Sequence, residues 1–248
     1  MSKAQNNHLN SITPIPIGVK LLKFCYFILA FLLLACGNGK TEKTTPEVPS
    51  TTSSEETAGP SSNSKTILCF GDSITAGYGL DDNKDAFPDL LQQKIEDLNL
   101  NYTVINSGLS GETTAGGKSR INWILNQDID IFLLELGAND GLRGVPLSET
   151  RANLQAIIDA VKKKSPETII ILAGMELPPN MGQEYTMEFR QIYSDLAKKN
   201  HLEFIPFILK DVGGIAELNQ SDGIHPTVEG HKIVANTVWE VLKPLLKS

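Results

Sequence analysis

Residues 66–248 predict an α/β fold, a three-layer α/β/α sandwich around a central, mostly parallel, five-stranded sheet. Three observations carry this. Short apolar, β-branched runs recur without the polar alternation that would leave one face wet, so they suit strands buried on both faces. Longer stretches with apolar residues at helical spacing separate them, and strand then helix, repeated, argues for parallel pairing with helices on both sides. Glycines and polar residues gather just after the runs, where such a sheet opens its ligand crevice.

In chain order, TILCF (66–70) is the first strand. The sequence Gly71-Asp72-Ser73 turns out of it, and a helix is predicted over Phe87–Asp97. YTVINS (102–107) is the second strand, followed by Ser107-Gly108 and a helix over 114–126. DIFLLELG (130–137) is the third, ending on Gly137-Ala138-Asn139-Asp140. The helix predicted over 148–164 carries Leu154, Ile157, Ile158 and Val161 on one face, the spacing of a core-facing stripe. TIIILAGM (168–175) is the fourth strand, then a helix over Gln183–Asn200, a short fifth strand over Glu203–Ile205, and a last helix over 227–246. No repeat of fixed period is present, which argues against solenoids and propellers.

Charge divides the chain. Residues 1–35 carry +3, residues 36–65 carry −1 and residues 66–248 carry −9. An acidic domain lacks the basic footprint of a nucleic-acid binder. At this length, residues 66–248 make one domain with a sizeable core and leave no room for a second. The cysteines are Cys25, Cys36 and Cys69, too few and too scattered for a disulfide framework or a CxxC metal site.

Residues 24–35 (FCYFILAFLLLA) follow Lys20 and Lys23 and are too short for a membrane-spanning helix of about 20 residues. They fit the core of a signal peptide over 1–35. The run ends in Leu33-Leu34-Ala35-Cys36, which resembles the bacterial lipobox and implies lipid attachment at Cys36. The competing reading is an uncleaved signal anchor with an incidental cysteine. Residues 36–65 then form a linker: positions 37–64 hold twelve Ser or Thr and three Pro with almost nothing apolar to bury. A lipidated cysteine followed by a tether would place the domain at a membrane of the bacterial cell envelope.

The crevice loops supply the chemistry of acyl transfer. Ser73 lies in a glycine-flanked turn that would expose its hydroxyl and aim its N–H into the site. Serine needs a base. Of His201, His225 and His231, only His225 lies on a crevice loop, and Asp222, three residues earlier, would hold the ring nitrogen that faces away from Ser73. Donors to the developing oxyanion would be the Ser73 amide, the Gly108 amide and the Asn139 side chain.

Four ordered blocks, GDSITAGYG from Gly71, NSGLSGETTAGG from Asn106, ELGANDGLRG from Glu135 and SDGIHPTVEGH from Ser221, resemble those of the SGNH (GDSL) hydrolases. The resemblance covers essentially all of 66–248 and implies the flavodoxin-like SGNH-hydrolase fold. It implies Ser73, Asp222 and His225 as catalytic residues and Ser73, Gly108 and Asn139 as the oxyanion hole, with no cofactor. AGYGLDDNKDAFPDLLQ, GMELPPNMGQEYTMEF and ELNQSDGIHP are similar to the bacterial arylesterase, lysophospholipase and acyl-CoA thioesterase branch, so the implied substrate is a small-molecule ester or a lysophospholipid. Two rivals stand beside it: a glycan O-acetyl esterase on the same triad, and an idle surface lipoprotein that binds lipid or polysaccharide.

Other conspicuous residues have plainer expectations. Asp72 would order the turn before Ser73. Asp140 and Glu112 would order loops or cap helices. His225 and His231, six apart, share no helical face, so no metal site is predicted. His231 is expected as a polar residue of the last helix and His201 as a loop or helix-end residue. Leu109, Met175, Met181 and Tyr185 are candidates to border an acyl groove.

Overall fold

The computed structural model describes residues 64–247. Five strands, β1 (Lys65–Gly71), β2 (Tyr102–Gly108), β3 (Ile131–Glu135), β4 (Ile169–Ala173) and β5 (Glu203–Ile205), form one sheet in the order β2-β1-β3-β4-β5. Every pairing is parallel, so no antiparallel edge strand is present among the described residues. The central strands are buried on both faces, as their uninterrupted apolar composition requires: Ile67 to Gly71 and all of β3 are buried.

Among the described residues, seven α-helices accompany the strands: α1 (Ser73–Ala76), α2 (Phe87–Asp97), α3 (Thr114–Ile124), α4 (Ala138–Leu142), α5 (Leu147–Lys164), α6 (Gln183–Asn200) and α7 (Val228–Leu242). They cover the sheet in two groups, α2 packing with α7, and α3 with α5 and α6. In α5, Leu154, Ile157, Ile158 and Val161 are all 1% exposed or less, the stripe the sequence predicted. Phe70 and Phe132, on neighbouring strands, pack with ring centroids 5.5 Å apart at the centre of the core. Cutting either to Ala would cost about 3–5 kcal/mol.

Differences from the predicted elements have local causes. β1 begins at Lys65, one residue into the expected linker, because Lys65 pairs with Tyr102. α7 stops at Leu242 instead of 246, since Pro244 cannot continue an α-helix and a 3-10 turn takes over at Lys243–Leu245. The helices α1 and α4 are one-turn elements too short to show a period. The expected signal peptide (1–35), Cys36 and nearly all of the linker (36–65) lie outside the described residues. Among the described residues no helix is long and apolar enough to cross a membrane.

The register positions the site. Gly71 at the end of β1 lies level with Gly108 of β2 on one side and Glu135 of β3 on the other. The loops that leave these three strands therefore start side by side at the carboxyl edge.

Candidate active site

Ser73 is the first residue of α1, with Asp72 as its N-cap: Asp72 Oδ1 accepts from Ile74 N at 3.1 Å. Gly77 closes the turn in the left-handed conformation (φ 76°), its N–H donating to Ser73 O. This strand-to-helix turn leaves the Ser73 N–H with no protein acceptor among the described residues and its hydroxyl facing the crevice.

The His225 loop folds onto this turn from the far end of the chain. Gln220 N donates to His225 O at 2.7 Å, and Gln220 Nε2 donates to Tyr78 O at 2.6 Å and Pro226 O at 3.1 Å. Gly223 adopts φ 74°, which lets the chain reverse between Asp222 and His225. The result brings the three predicted residues together. His225 Nε2 lies 2.9 Å from Ser73 Oγ, and Asp222 Oδ2 lies 2.7 Å from His225 Nδ1. Partial burial raises the Asp222 carboxyl, but hydrogen bonds from Ile224 N, the His225 ring and His225 N outweigh it and hold the pKa below the ordinary carboxylate value. Asp222 is thus an ionised acceptor that fixes a proton on Nδ1 and leaves Nε2 free to receive one from Ser73. The Tyr78 ring lies against the imidazole, centroids 4.7 Å apart.

Asn139 sits in the first turn of α4 and borders the same cavity as Ser73 and His225. Its Nδ2 donates to Asp72 Oδ2 at 3.1 Å, and its Oδ1 accepts from Arg143 Nη2 at 3.2 Å. The second Nδ2–H is left over.

Gly108 does not fill its predicted role. It is still in the β1–β2 ladder, its N–H donates to Asn106 Oδ1 at 3.0 Å, and the space where a Cβ would stand is occupied by the backbone of Ala76. Glycine is required there so that α1 can pack against β2. The loop reaches the crevice three residues later, where Ser110 and Gly111 line the cavity. Gly111 has φ 78°, and its N–H donates to no protein group among the described residues. The block NSGLSGE holds both glycines, and the pairing of Gly108 with Gly71 decides between them: a residue still in the ladder has not left the sheet, so the crevice-facing glycine is the later one.

Several other expectations are refined. Asp140 caps α3, accepting from Thr114 N at 2.8 Å and Thr114 Oγ1 at 2.5 Å, which ties the Asn139 loop to the Gly111 loop. His201 ends α6 in the left-handed conformation (φ 54°). His231 is no ordinary polar residue: it is fully buried and its Nδ1 accepts from Phe87 N, the first residue of α2. The cavity beside Ser73 has a volume of about 610 Å³ and is walled by Met175, Leu177, Pro178, Phe207, Leu209 and Ile224. Of the predicted groove residues only Met175 lines it. Leu109 faces solvent, Met181 packs on the core, and Tyr185 donates its hydroxyl to Gly141 O at 3.1 Å.

A serine, histidine and aspartate aligned at the carboxyl edge of a parallel sheet have the arrangement of a serine hydrolase. Residues 69–233 match the GDSL-like Lipase/Acylhydrolase family, and the chain belongs to that family. It is 37% identical over 183 residues to esterase TesA of Pseudomonas aeruginosa, covering 73% of this chain and 90% of the relative. To the arylesterase of Vibrio mimicus it is 36% identical, covering 72% and 88%. To thioesterase 1/protease 1/lysophospholipase L1 of Escherichia coli K12 it is 34% identical, covering 73% and 85%. Among solved structures, TesA superposes with a TM-score of 0.70 at 36% identity, covering 73% of this chain and 100% of that one. AlinE4, an SGNH-hydrolase family esterase, gives a TM-score of 0.61 at 36% identity, covering 75% and 98%.

Proposed function

We propose that the protein is a cofactor-independent serine esterase that works through an acyl-enzyme intermediate. The observation that carries this is the unbroken relay Asp222–His225–Ser73, with separations of 2.7 and 2.9 Å. His225 Nε2 removes the proton from Ser73 Oγ as that oxygen attacks the ester carbonyl. The carbonyl oxygen gains the negative charge and meets the Ser73 N–H, the Gly111 N–H and the second Nδ2–H of Asn139. His225 then gives its proton to the departing alcohol oxygen, and a water repeats the sequence on the acyl-enzyme, releasing the acid and restoring Ser73.

The substrate class is a carboxylic ester with an apolar acyl chain. An acetyl group would leave most of the apolar cavity empty, which weighs against a glycan deacetylase. The names of the relatives, arylesterase and lysophospholipase among them, support small esters and lysophospholipids. Ser73→Ala should abolish hydrolysis of p-nitrophenyl esters and labelling by a fluorophosphonate while the thermal midpoint stays unchanged. Retained turnover would overturn the mechanism, and absence of labelling in the parent protein would favour an idle binding protein.

The sequence Leu33-Leu34-Ala35-Cys36 supports a lipid anchor at Cys36 that holds the enzyme at a membrane of the bacterial cell envelope. A domain carrying −9 gains no attraction from an anionic surface, so the lipid would do the holding. Cys36→Ser should move the protein to the soluble fraction; unchanged membrane association would sink the anchor.

A further inference from the structure

Two carboxyls that the proton relay does not use lie directly behind Ser73. Asp72 and Glu135 are both fully buried. Asp72 Oδ2 accepts from Asn139 Nδ2 and Oδ1 from Ile74 N, both at 3.1 Å, and Ser73 Oγ, whose one proton points to His225, lies 3.4 Å from Oδ1. Glu135 Oε2 accepts from Thr75 Oγ1 at 2.7 Å and Asp72 N at 3.2 Å, and its Oε1 has no partner. Among the described residues neither acid makes an ion pair.

Two adjacent buried acids without a counter-ion do not both ionise, because each charge costs desolvation and they repel. Donors decide which one carries the charge. Asp72 receives one on each oxygen, from Ile74 N and Asn139 Nδ2, whereas Glu135 takes both of its donors on Oε2 and leaves Oε1 bare. Burial pushes both upward, Asp72 to about 6 and Glu135 well above its ordinary value.

We propose that Asp72 is a positioning residue for ester hydrolysis, its carboxylate locking the Asn139 carboxamide so that the second Nδ2–H faces the oxyanion. This rests on the reading of Asn139 as an oxyanion donor. A carboxamide can turn over about its last torsion and exchange oxygen for nitrogen. Turned over, Asn139 would aim Oδ1 at the Asp72 carboxylate, two acceptors face to face, and its N–H donor to the oxyanion would be lost with it. Arg143 helps from the other side, but it is exposed and reaches Oδ1 through one nitrogen. Glu135, neutral at working pH, accepts the Asp72 N–H and so fixes the backbone from which the carboxylate projects.

The test is a double-mutant cycle on the full chain, reading kcat and KM with a short p-nitrophenyl ester for Asp72→Ser, Asn139→Ala and the pair. Serine keeps an N-cap acceptor for Ile74 N and removes only the acceptor that faces Asn139. Loss of one oxyanion donor costs about 10²–10³ in kcat, so Asn139→Ala should fall in that range and Asp72→Ser should lose a sizeable part of it with KM little changed. In the Asn139→Ala background Asp72→Ser should cost less than about threefold. Equal losses in both backgrounds would overturn the positioning role while leaving the oxyanion reading intact. An unchanged kcat in Asn139→Ala would overturn both. If Asp72→Ser does not fold, the near-isosteric Asp72→Asn, which places an N–H against Asn139 Nδ2, enters the same cycle with the same outcomes.

Discussion

Arg120 clasps Glu112 through two guanidinium nitrogens, Nε at 2.7 Å and Nη2 at 2.5 Å. The same guanidinium donates to Ser107 Oγ and Ser107 O, both at 2.9 Å, and lies 4.0 Å above the Phe70 ring. The loop 107–112, which carries Gly111, is therefore held at both ends by one side chain on α3. With the Glu112 side chain only 3% exposed, removing its partner leaves a buried charge unpaired. Arg120→Ala should cost about 3 kcal/mol in denaturant unfolding and, by loosening Gly111, about tenfold or more in kcat. Arg120→Lys should recover little, since an ammonium cannot make the fork. A kcat unchanged in Arg120→Ala would mean the loop holds Gly111 without this clasp.

The two glycines of that loop should respond differently to a methyl group. A Cβ at Gly108 would come within 2.1 Å of Ala76 N, a backbone atom that cannot swing aside. Gly108→Ala should therefore displace α1 and Ser73, cost about 3 kcal/mol or more, and lower kcat although Gly108 donates nothing to the oxyanion. At Gly111 the nearest atom is Arg143 Nη2 at 3.6 Å, and only the left-handed backbone (φ 78°) resists, a cost of about 1–2 kcal/mol. Thermal melts of the two variants should differ by several degrees, with Gly108→Ala the lower. The reverse order would contradict the packing described.

That contrast also shows what the sequence discloses. The strands and long helices were legible because their periodicity is imposed by burial, as with Leu154, Ile157, Ile158 and Val161. Ser73, Asp222, His225 and Asn139 were legible because each lies beside a strand end or in a glycine turn, where chemistry is exposed. The choice between Gly108 and Gly111 depended on where β2 stops, and strand ends are set by pairing with another strand, which local sequence does not encode. The Asp72–Glu135 contact spans 63 residues and exists only because β1 and β3 are neighbours. His231 lies on the last helix as expected, but its burial was not legible, because its partner, Phe87 N, is 144 residues away.

His231 gives the fold a pH dependence. Its Nδ1 accepts from Phe87 N at 3.3 Å, a bond open only to the neutral ring. Burial first, and His225 second, hold its pKa to about 4 against an ordinary 6.5. Below pH 6.5 the unfolded chain takes up a proton that the folded chain refuses, so this residue lowers stability as pH falls from 6.5 to about 4, by about 3 kcal/mol in total. Above 6.5 both states are neutral and the effect vanishes. Asp72, raised to about 6, acts oppositely, because the folded state binds its proton first. His231→Gln keeps an acceptor for Phe87 N and isolates the histidine. The parent protein should be the more stable at pH 7, and its advantage should shrink by about 3 kcal/mol towards pH 4 in urea unfolding. A gap independent of pH would show that the ring takes up its proton without penalty.

Chain-length preference should follow the cavity wall and ignore residues that merely neighbour it in sequence. Each methylene buried against Met175, Leu177 and Leu209 should be worth about 0.8 kcal/mol, so kcat/KM should climb about threefold to fourfold per carbon until the space of about 610 Å³ is filled. Phe207 forms part of that wall, with its ring against Gly213. Phe207→Ala should enlarge the cavity and move the preferred p-nitrophenyl ester to a longer chain by roughly two to four carbons. Met181→Ser removes a thioether that packs on the core outside the cavity, so it should lower stability and leave the preference unmoved. If Met181→Ser shifts the profile and Phe207→Ala does not, the acyl chain lies along the 178–182 loop instead, and the apolar cavity beside Ser73 holds the leaving group.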